Sequence, residues 1–306
     1  MSGGKDSTAT ALVAIERYGR DRVQCCFADT GHEHPETLDY VQNYLPGALG
    51  VPVHTVRADF SRQMAGKRAW IEKHWADDGL PPERIARALE ILQPTGNPYL
   101  DLCLWKGRFP SRKAQFCTEE LKGRPLDAFI DAIDPAEACE SWRGIRRDES
   151  QNRADAQDEY IDATKAGRVF RVVQPLVAWT AGQVIEYVRA SGVTLNPLYS
   201  QGMKRVGCMP CINCGKDELL EIAQRWPAEV ERIVEWEALV SEASKRGRST
   251  FFVDAALDDE TTDETFSRLK ISERIKWAKT SRGGRQYDLV RAIPSEGCSS
   301  LYGLCE

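Results

Sequence analysis

The first eighteen residues, MSGGKDSTATALVAIERY, run from a pair of glycines straight into a helical pattern, and that junction narrows what the chain can fold into. Ala9, Ala11, Leu12, Val13 and Ile15 recur at helical spacing as far as Tyr18, where Gly19 supplies a stop. Gly3 and Gly4 open backbone conformations closed to residues with a side chain, so successive N–H groups can turn inward around an anion. Ser2 and Ser7 add hydroxyl donors, the helix directs its positive end at the same anion, and Lys5 can neutralise charge there. A serine-glycine-glycine string also occurs in flexible loops, so the rest of the chain has to decide between cradle and linker.

Downstream, apolar runs alternate with helical patterns. Strands are expected at 23–28, in VPVHTVRA, in ACESWRG and in VFRVVQPL. Helices are expected at about 35–44, 61–76, 82–92, 118–132 and 180–191. Such alternation implies an α/β fold, a doubly wound parallel sheet covered on both faces. After about residue 205 the pattern becomes helical: two helices within 216–247 broken at Trp226-Pro227, an acidic stretch DAALDDETTDET expected as an exposed loop, and a last helix at about 266–280. We therefore expect a nucleotide-binding domain over 1–205 and a smaller helical, cysteine-containing region over 206–306.

With 41 Lys and Arg against 46 Asp and Glu, the net charge of −5 gives no overall positive field toward nucleic acid or anionic lipid. No apolar run approaches the ~18 residues of a membrane span, and the start lacks a secretory layout, which places the protein in the cytoplasm with no membrane partner. In a reducing compartment ten cysteines point to metal or redox chemistry rather than to a disulfide framework. GCMPCINC puts Cys208, Cys211 and Cys214 in a two-residue-spaced series, and GCSSLYGLCE adds Cys298 and Cys305. Four thiolates suit zinc or a four-iron cluster equally, and the spacing leaves both open.

SGGKDS, FADTGHEHPETLDYV, FCTEELKGRPL, WRGIRRDESQNR, PLVAWT, NPLYSQG and GCMPCI follow one another over residues 2–211. In that order they resemble the phosphoadenosine phosphosulfate reductase family of the PP-loop ATP pyrophosphatase superfamily. The resemblance implies a pyrophosphate-binding loop at Ser2, Gly3, Gly4, Lys5, Asp6 and Ser7. Asp29, Thr30 and Gly31 would lie near the adenosine, and Gly144, Arg146 and Arg147 would close over the nucleotide's anionic end. Lys5, Asp6 and Arg146 are the catalytic candidates, since planar guanidinium groups suit phosphate or sulfate. His32 and His34, beside the DTG loop, are candidates for binding or acid–base roles. In the family a buried first strand feeds the loop, so residues of that strand are expected upstream of Met1; without them the neighbouring strands would have unpaired edges.

The resemblance favours iron and sulfur over zinc, because adenylyl-sulfate reductases carry a cluster on a Cys-Cys pair plus a Cys-x-x-Cys pair. Here QFCTEELK holds only Cys117, Phe116 standing where the pair would be completed. A 4Fe-4S cluster is thus expected on Cys208, Cys211, Cys298 and Cys305, with Cys214 the chief rival and Cys117 the next. The reductases also use a cysteine in a C-terminal Glu-Cys-Gly context as nucleophile, and GLCE does not reproduce it.

Three functions follow. The first is thiol-dependent reduction of adenylyl or phosphoadenylyl sulfate, with a thioredoxin-like donor or sulfur-transfer proteins as partners. The second is an ATP pyrophosphatase that uses Mg and adenylylates an acceptor for sulfur insertion, resembling the DNA-phosphorothioation members of the superfamily; only here would nucleic acid be a partner. The third is a non-catalytic nucleotide or cluster sensor.

Overall fold

In the computed structural model, residues 1–134, 138–164, 167–253 and 262–280 are described. The glycine loop leads into helix α1 (Lys5–Tyr18), and two parallel strands follow, β1 (Cys25–Ala28) and β2 (Val53–Val56), in register Cys25 opposite Val53. A second sheet holds β3 (Ser141–Trp142), β4 (Glu159–Ala163) and β5 (Val169–Val173) in the order β3-β5-β4, with β3 and β5 parallel. The fold is α/β, as expected, with one correction to the all-parallel reading: β4 runs antiparallel to β5. Its sequence, EYIDA, has Tyr160 and Asp162 half-buried and the other three residues exposed. An edge strand of that kind has too little apolar alternation to be read in advance.

The helical chain between β1 and β2 runs Pro35–Asp39, a π-helical turn Tyr40–Tyr44, then Leu45–Leu49; a second such run is Phe116–Thr118, Glu119–Gly123 and Arg124–Ile133. Each π turn is followed closely by a proline, Pro46 or Pro125. A proline has no N–H to donate and its ring crowds the carbonyl four residues back, so the helix widens there instead of breaking. The Pro98–Lys106 helix was not foreseen. Nearly all its residues are buried, so it lacks the polar face that a periodicity argument needs.

The expected break at Trp226-Pro227 separates Lys216–Arg225 from Pro227–Glu242, and the last expected helix is two, Asp263–Ser267 and Ile271–Ala278. Most of the acidic stretch lies outside the described residues. The described residues after 205 join the cores of the preceding chain. Ile233, Trp236, Val240, Phe251 and Ile271 pack into one core with Met64, Ile71, Trp75, Leu102 and Phe109, whereas α1, β1 and the 184–209 segment build a second. Lys67 joins the two chain segments by donating to the carbonyls of Leu104 (2.8 Å) and Ala243 (3.3 Å), capping two helix ends at once.

β3 comes against the first turn of α1, and Gly144 just beyond it makes this contact feasible. A Cβ there would lie 2.8 Å from the Asp6 carbonyl oxygen and 2.9 Å from Thr10 Oγ1. Gly144→Ala should therefore destabilise the protein by about 1–3 kcal/mol in chemical denaturation, the usual cost of overpacking. Gly66→Ala, in an exposed helical position where a Cβ would meet nothing, should stabilise it by about 0.5–1 kcal/mol.

Candidate functional site

Gly4 is the N-cap of α1 and has no side chain with which to cap it; its extended backbone presents the N–H groups of the first turn to whatever lies in front of them. Gly3 has φ +72°, and a Cβ on it would lie 2.9 Å from Thr37 Cγ2 and 3.0 Å from Val41 Cγ2, so only glycine suits this position. Ser2 and Ser7 close the loop on itself, Ser2 N donating to Ser7 Oγ at 3.1 Å and Ser7 Oγ to the Gly4 carbonyl at 2.9 Å. Behind it, Asn196 Nδ2 donates to the Gly3 carbonyl (3.3 Å) and to Thr37 Oγ1 (3.2 Å), and the Lys5 N–H donates to the Tyr199 hydroxyl (3.1 Å). Thr37 Oγ1 in turn donates to the Val206 carbonyl at 2.6 Å.

Charge concentrates at the same helix end. Lys5 and Arg146 are both buried, and both reach Asp6: Lys5 Nζ is 3.3 Å from Oδ2, and Arg146 Nε donates to Oδ1 while its other arm bonds Asp148. The structure thus brings Gly3, Gly4, Lys5, Asp6, Ser7, Gly144 and Arg146 together. Arg147 does not join them; its guanidinium goes to Asp158 (3.2 Å) and the Ala156 carbonyl (3.0 Å).

The loop after β1 is the second part of the site. Asp29 accepts from Gly31 N (2.9 Å) and pairs with Arg57 (3.2 Å). Thr30 is fully buried and turns its hydroxyl to Glu33, 2.8 Å away. Glu33 also accepts from the Thr30 and His32 amides, and its backbone pairs with Cys208 in an isolated antiparallel bridge. The cysteine turn is therefore stitched to the DTG loop, with Thr30 Oγ1 3.8 Å and Glu33 Oε1 3.9 Å from the Cys208 sulfur.

Burial pushes the Cys208 thiol up to about 12, and burial raises Cys117 as well; in both, Lys122 pulls the other way. The Lys122 ammonium is itself raised, by Cys208 above all and then by Glu33, Cys211 and Cys117. Sequence reasoning missed Lys122, Glu33, Asn196 and Tyr199, although each lies inside a quoted motif, because its role depends on partners up to 194 residues away. Cys214 is buried among apolar side chains of the larger core, and Cys298 and Cys305 lie outside the described residues.

Neither histidine of the loop is placed for acid–base work. His34 Nδ1 accepts the Glu36 N–H and so caps the Pro35–Asp39 helix. His32 is fully buried; its Nδ1 accepts from Arg232 (3.1 Å), so Nε2 carries the hydrogen and donates to the Pro210 carbonyl (2.8 Å). Burial, followed by the Arg232 cation, lowers its pKa from 6.5 to about 3. Between those values the unfolded chain binds the extra proton, so the His32 contribution to stability is complete above pH ~6.5 and is lost as pH falls toward 3. Denaturation of wild type and His32→Gln from pH 7 to 4 should show the wild type losing up to about 1.4 kcal/mol more per pH unit. Parallel curves would exclude the neutral buried imidazole. No helix among the described residues is long and apolar enough to cross a membrane.

The chain is 44% identical, over 327 aligned residues, to an uncharacterized 37.8 kDa protein of Escherichia phage 186, covering 100% of this chain and 95% of that one. It is 31% identical over 123 residues to the adenosine 5'-phosphosulfate reductase of Oceanobacillus iheyensis (40% of this chain, 46% of that one). It is 41% identical over 101 residues to that of Streptomyces coelicolor (33% and 39%). The chain thus spans less than half the length of these two reductases. Among solved structures it is similar to a phosphoadenylyl-sulfate reductase from Candida auris in a phosphate complex, with 18% identity, 68% and 78% coverage and a TM-score of 0.41. The model of the phosphoadenosine phosphosulfate reductase domain matches residues 1–214, which include the loop, the buried arginine and the cysteine turn, and the chain belongs to that family.

Proposed function

We propose that the protein binds adenylyl sulfate or its 3'-phosphorylated form and reduces it in a thiol-dependent reaction. The observation that carries this reading is the joining of two chemistries through one loop: an anion cradle with buried Lys5 and Arg146, and a cysteine turn stitched to the DTG segment beside it. The Gly3–Ser7 loop would hold the phosphate, while Lys5 and Arg146 would exchange part of their pairing with Asp6 for the sulfate and phosphate oxygens. Asp29, Thr30 and Gly31 would border the adenosine. A thiolate then attacks the sulfate sulfur; an S–S bond forms, the sulfur–oxygen bond to the phosphate breaks, and the nucleotide leaves with that electron pair. A thioredoxin-like dithiol would release sulfite from the thiosulfonate and become a disulfide.

The donor set fits an iron–sulfur cluster. Cys117, Cys208 and Cys211 are thiols whose charge raises the Lys122 ammonium, and that cation would offset the negative charge that thiolate-bound clusters carry. Among the described residues no three His, Cys, Asp or Glu side chains converge on a single ion. A cubane asks less of the sulfurs than one ion does, since each binds a separate iron. When bound, a cluster would supply a redox-active charge beside the reacting thiols. We assign Cys117, Cys208 and Cys211 as ligands with the fourth from Cys298 or Cys305, which leaves the other tail cysteine as nucleophile. This amends the expected set by one residue.

Anaerobically purified protein given ATP, adenylyl sulfate or its 3'-phosphorylated form, with and without thioredoxin, should release sulfite from a sulfonucleotide only when thioredoxin is present. Lys5→Met and Arg146→Met should each lower that rate by about 10²-fold, as loss of a transition-state charge contact does. Pyrophosphate from ATP without sulfite would replace this reading with the ATP pyrophosphatase, and neither product with any nucleotide would leave a sensor. The protein should be brown, and Cys117→Ser, Cys208→Ser and Cys211→Ser should each lose iron while Cys214→Ser retains it; full iron content in Cys117→Ser would remove that residue from the set.

A further inference from the structure

His32 and Arg232 are separated by 200 residues and meet at the cysteine turn. His32 is wedged among three rings, Tyr99 at 4.4 Å, Trp236 at 5.3 Å and Phe251 at 5.8 Å between centroids, so its imidazole has little freedom to turn. Its backbone carbonyl accepts the Met209 N–H at 2.8 Å, and its Nε2 donates to the Pro210 carbonyl at 2.8 Å. Arg232, on the Pro227–Glu242 helix, donates to the Met209 carbonyl at 3.0 Å and to His32 Nδ1 at 3.1 Å, while Glu229 on the same helix pairs with it. Its guanidinium also lies 5.0 Å from the Trp236 ring centroid. Every main-chain hydrogen-bonding group of Met209 and Pro210 is thereby engaged by this pair, proline having no N–H. Those two residues are all that lie between Cys208 and Cys211.

We infer that His32 and Arg232 are a positioning pair: together they lock the Met209–Pro210 turn, and so set the placement and reactivity of Cys208 and Cys211 from the DTG loop and the Pro227–Glu242 helix. The inference rests on the proposed function only in treating these two thiols as working groups. Neither residue touches the anion cradle, and the pair acts through the turn alone. The arrangement needs both directions of hydrogen bonding at one ring. Arginine only donates, so Nδ1 must accept, and the ring is left with its one N–H aimed at Pro210. A side chain of similar size without those two atoms would fill the pocket but release the turn.

The test is site-resolved alkylation of the full-length protein as purified, with iodoacetamide and peptide mass spectrometry, and no nucleotide present. Arg232→Met and His32→Phe should speed labelling of Cys208 and Cys211 by about tenfold or more, the consequence of losing charge-assisted or buried hydrogen bonds. His32→Gln, which keeps a donor near the Nε2 position, should stay within about threefold of wild type. Cys103, fully buried in the larger core, is the internal reference and should not change. A merely structural role would accelerate Cys103 together with the other two, and that outcome would overturn the inference, as would unchanged labelling of Cys208 and Cys211 in Arg232→Met. If Arg232→Met does not fold, Arg232→Lys, which retains the charge but not the forked donor, is read by the same two criteria. Sulfonucleotide turnover is measured separately: its absence in wild type alongside the expected labelling pattern would defeat the proposed function and leave the positioning pair standing.

Discussion

The approach of the chain after β3 to the first turn of α1 is the contact on which the rest of the site depends. Two polar backbones meet there with no side chain between them, because Gly144 has no Cβ to strike the Asp6 carbonyl. That proximity delivers Arg146 to Asp6 and, with Lys5, places two buried cations at the positive end of a helix. Buried charges are tolerable only when paired, and Asp6 and Asp148 provide the pairing. An anion meeting Lys5 and Arg146 would substitute for part of that pairing rather than create a new burial cost.

A second dependency runs through Glu33. Its carboxylate ties Thr30 and the turn of the DTG loop, its backbone pairs with Cys208, and its charge, with that of the three cysteines, raises the Lys122 ammonium. The DTG loop and the cysteine turn are therefore one hydrogen-bonded unit. The helices after residue 205 complete the unit: Glu237 accepts from Thr250, Phe251 and Ile271, and so holds Phe251 against the His32 ring.

Much of this was legible beforehand where the signal is local. The glycine pair before an apolar helix, the strand at Cys25–Ala28, the strand at Val53–Val56 and the break at Trp226-Pro227 all rest on short-range chemistry, and the structure has them where the residues put them. The Pro98–Lys106 helix was not legible, being buried on nearly every side, nor was β4, an exposed edge strand paired antiparallel. His32 shows the limit on the functional side. Its neighbours in sequence make it look like a loop group free to move protons, whereas Arg232 and the Pro210 carbonyl consume both ring nitrogens.

By itself the sequence determined the α/β class, the glycine loop leading into α1, and the kinds of group in the motifs around it, because backbone propensity, helix dipole and thiol spacing act over a few residues. Only the tertiary structure decided that Arg146 reaches Asp6 while Arg147 turns to Asp158, that the Cys208 turn pairs with Glu33 of the DTG loop, and that the Pro227–Glu242 helix reaches the cysteine turn. Those outcomes hinge on which buried charges and polar atoms find partners. Partners in a folded core are set by packing between segments as much as 200 residues apart, for which no local pattern carries a code.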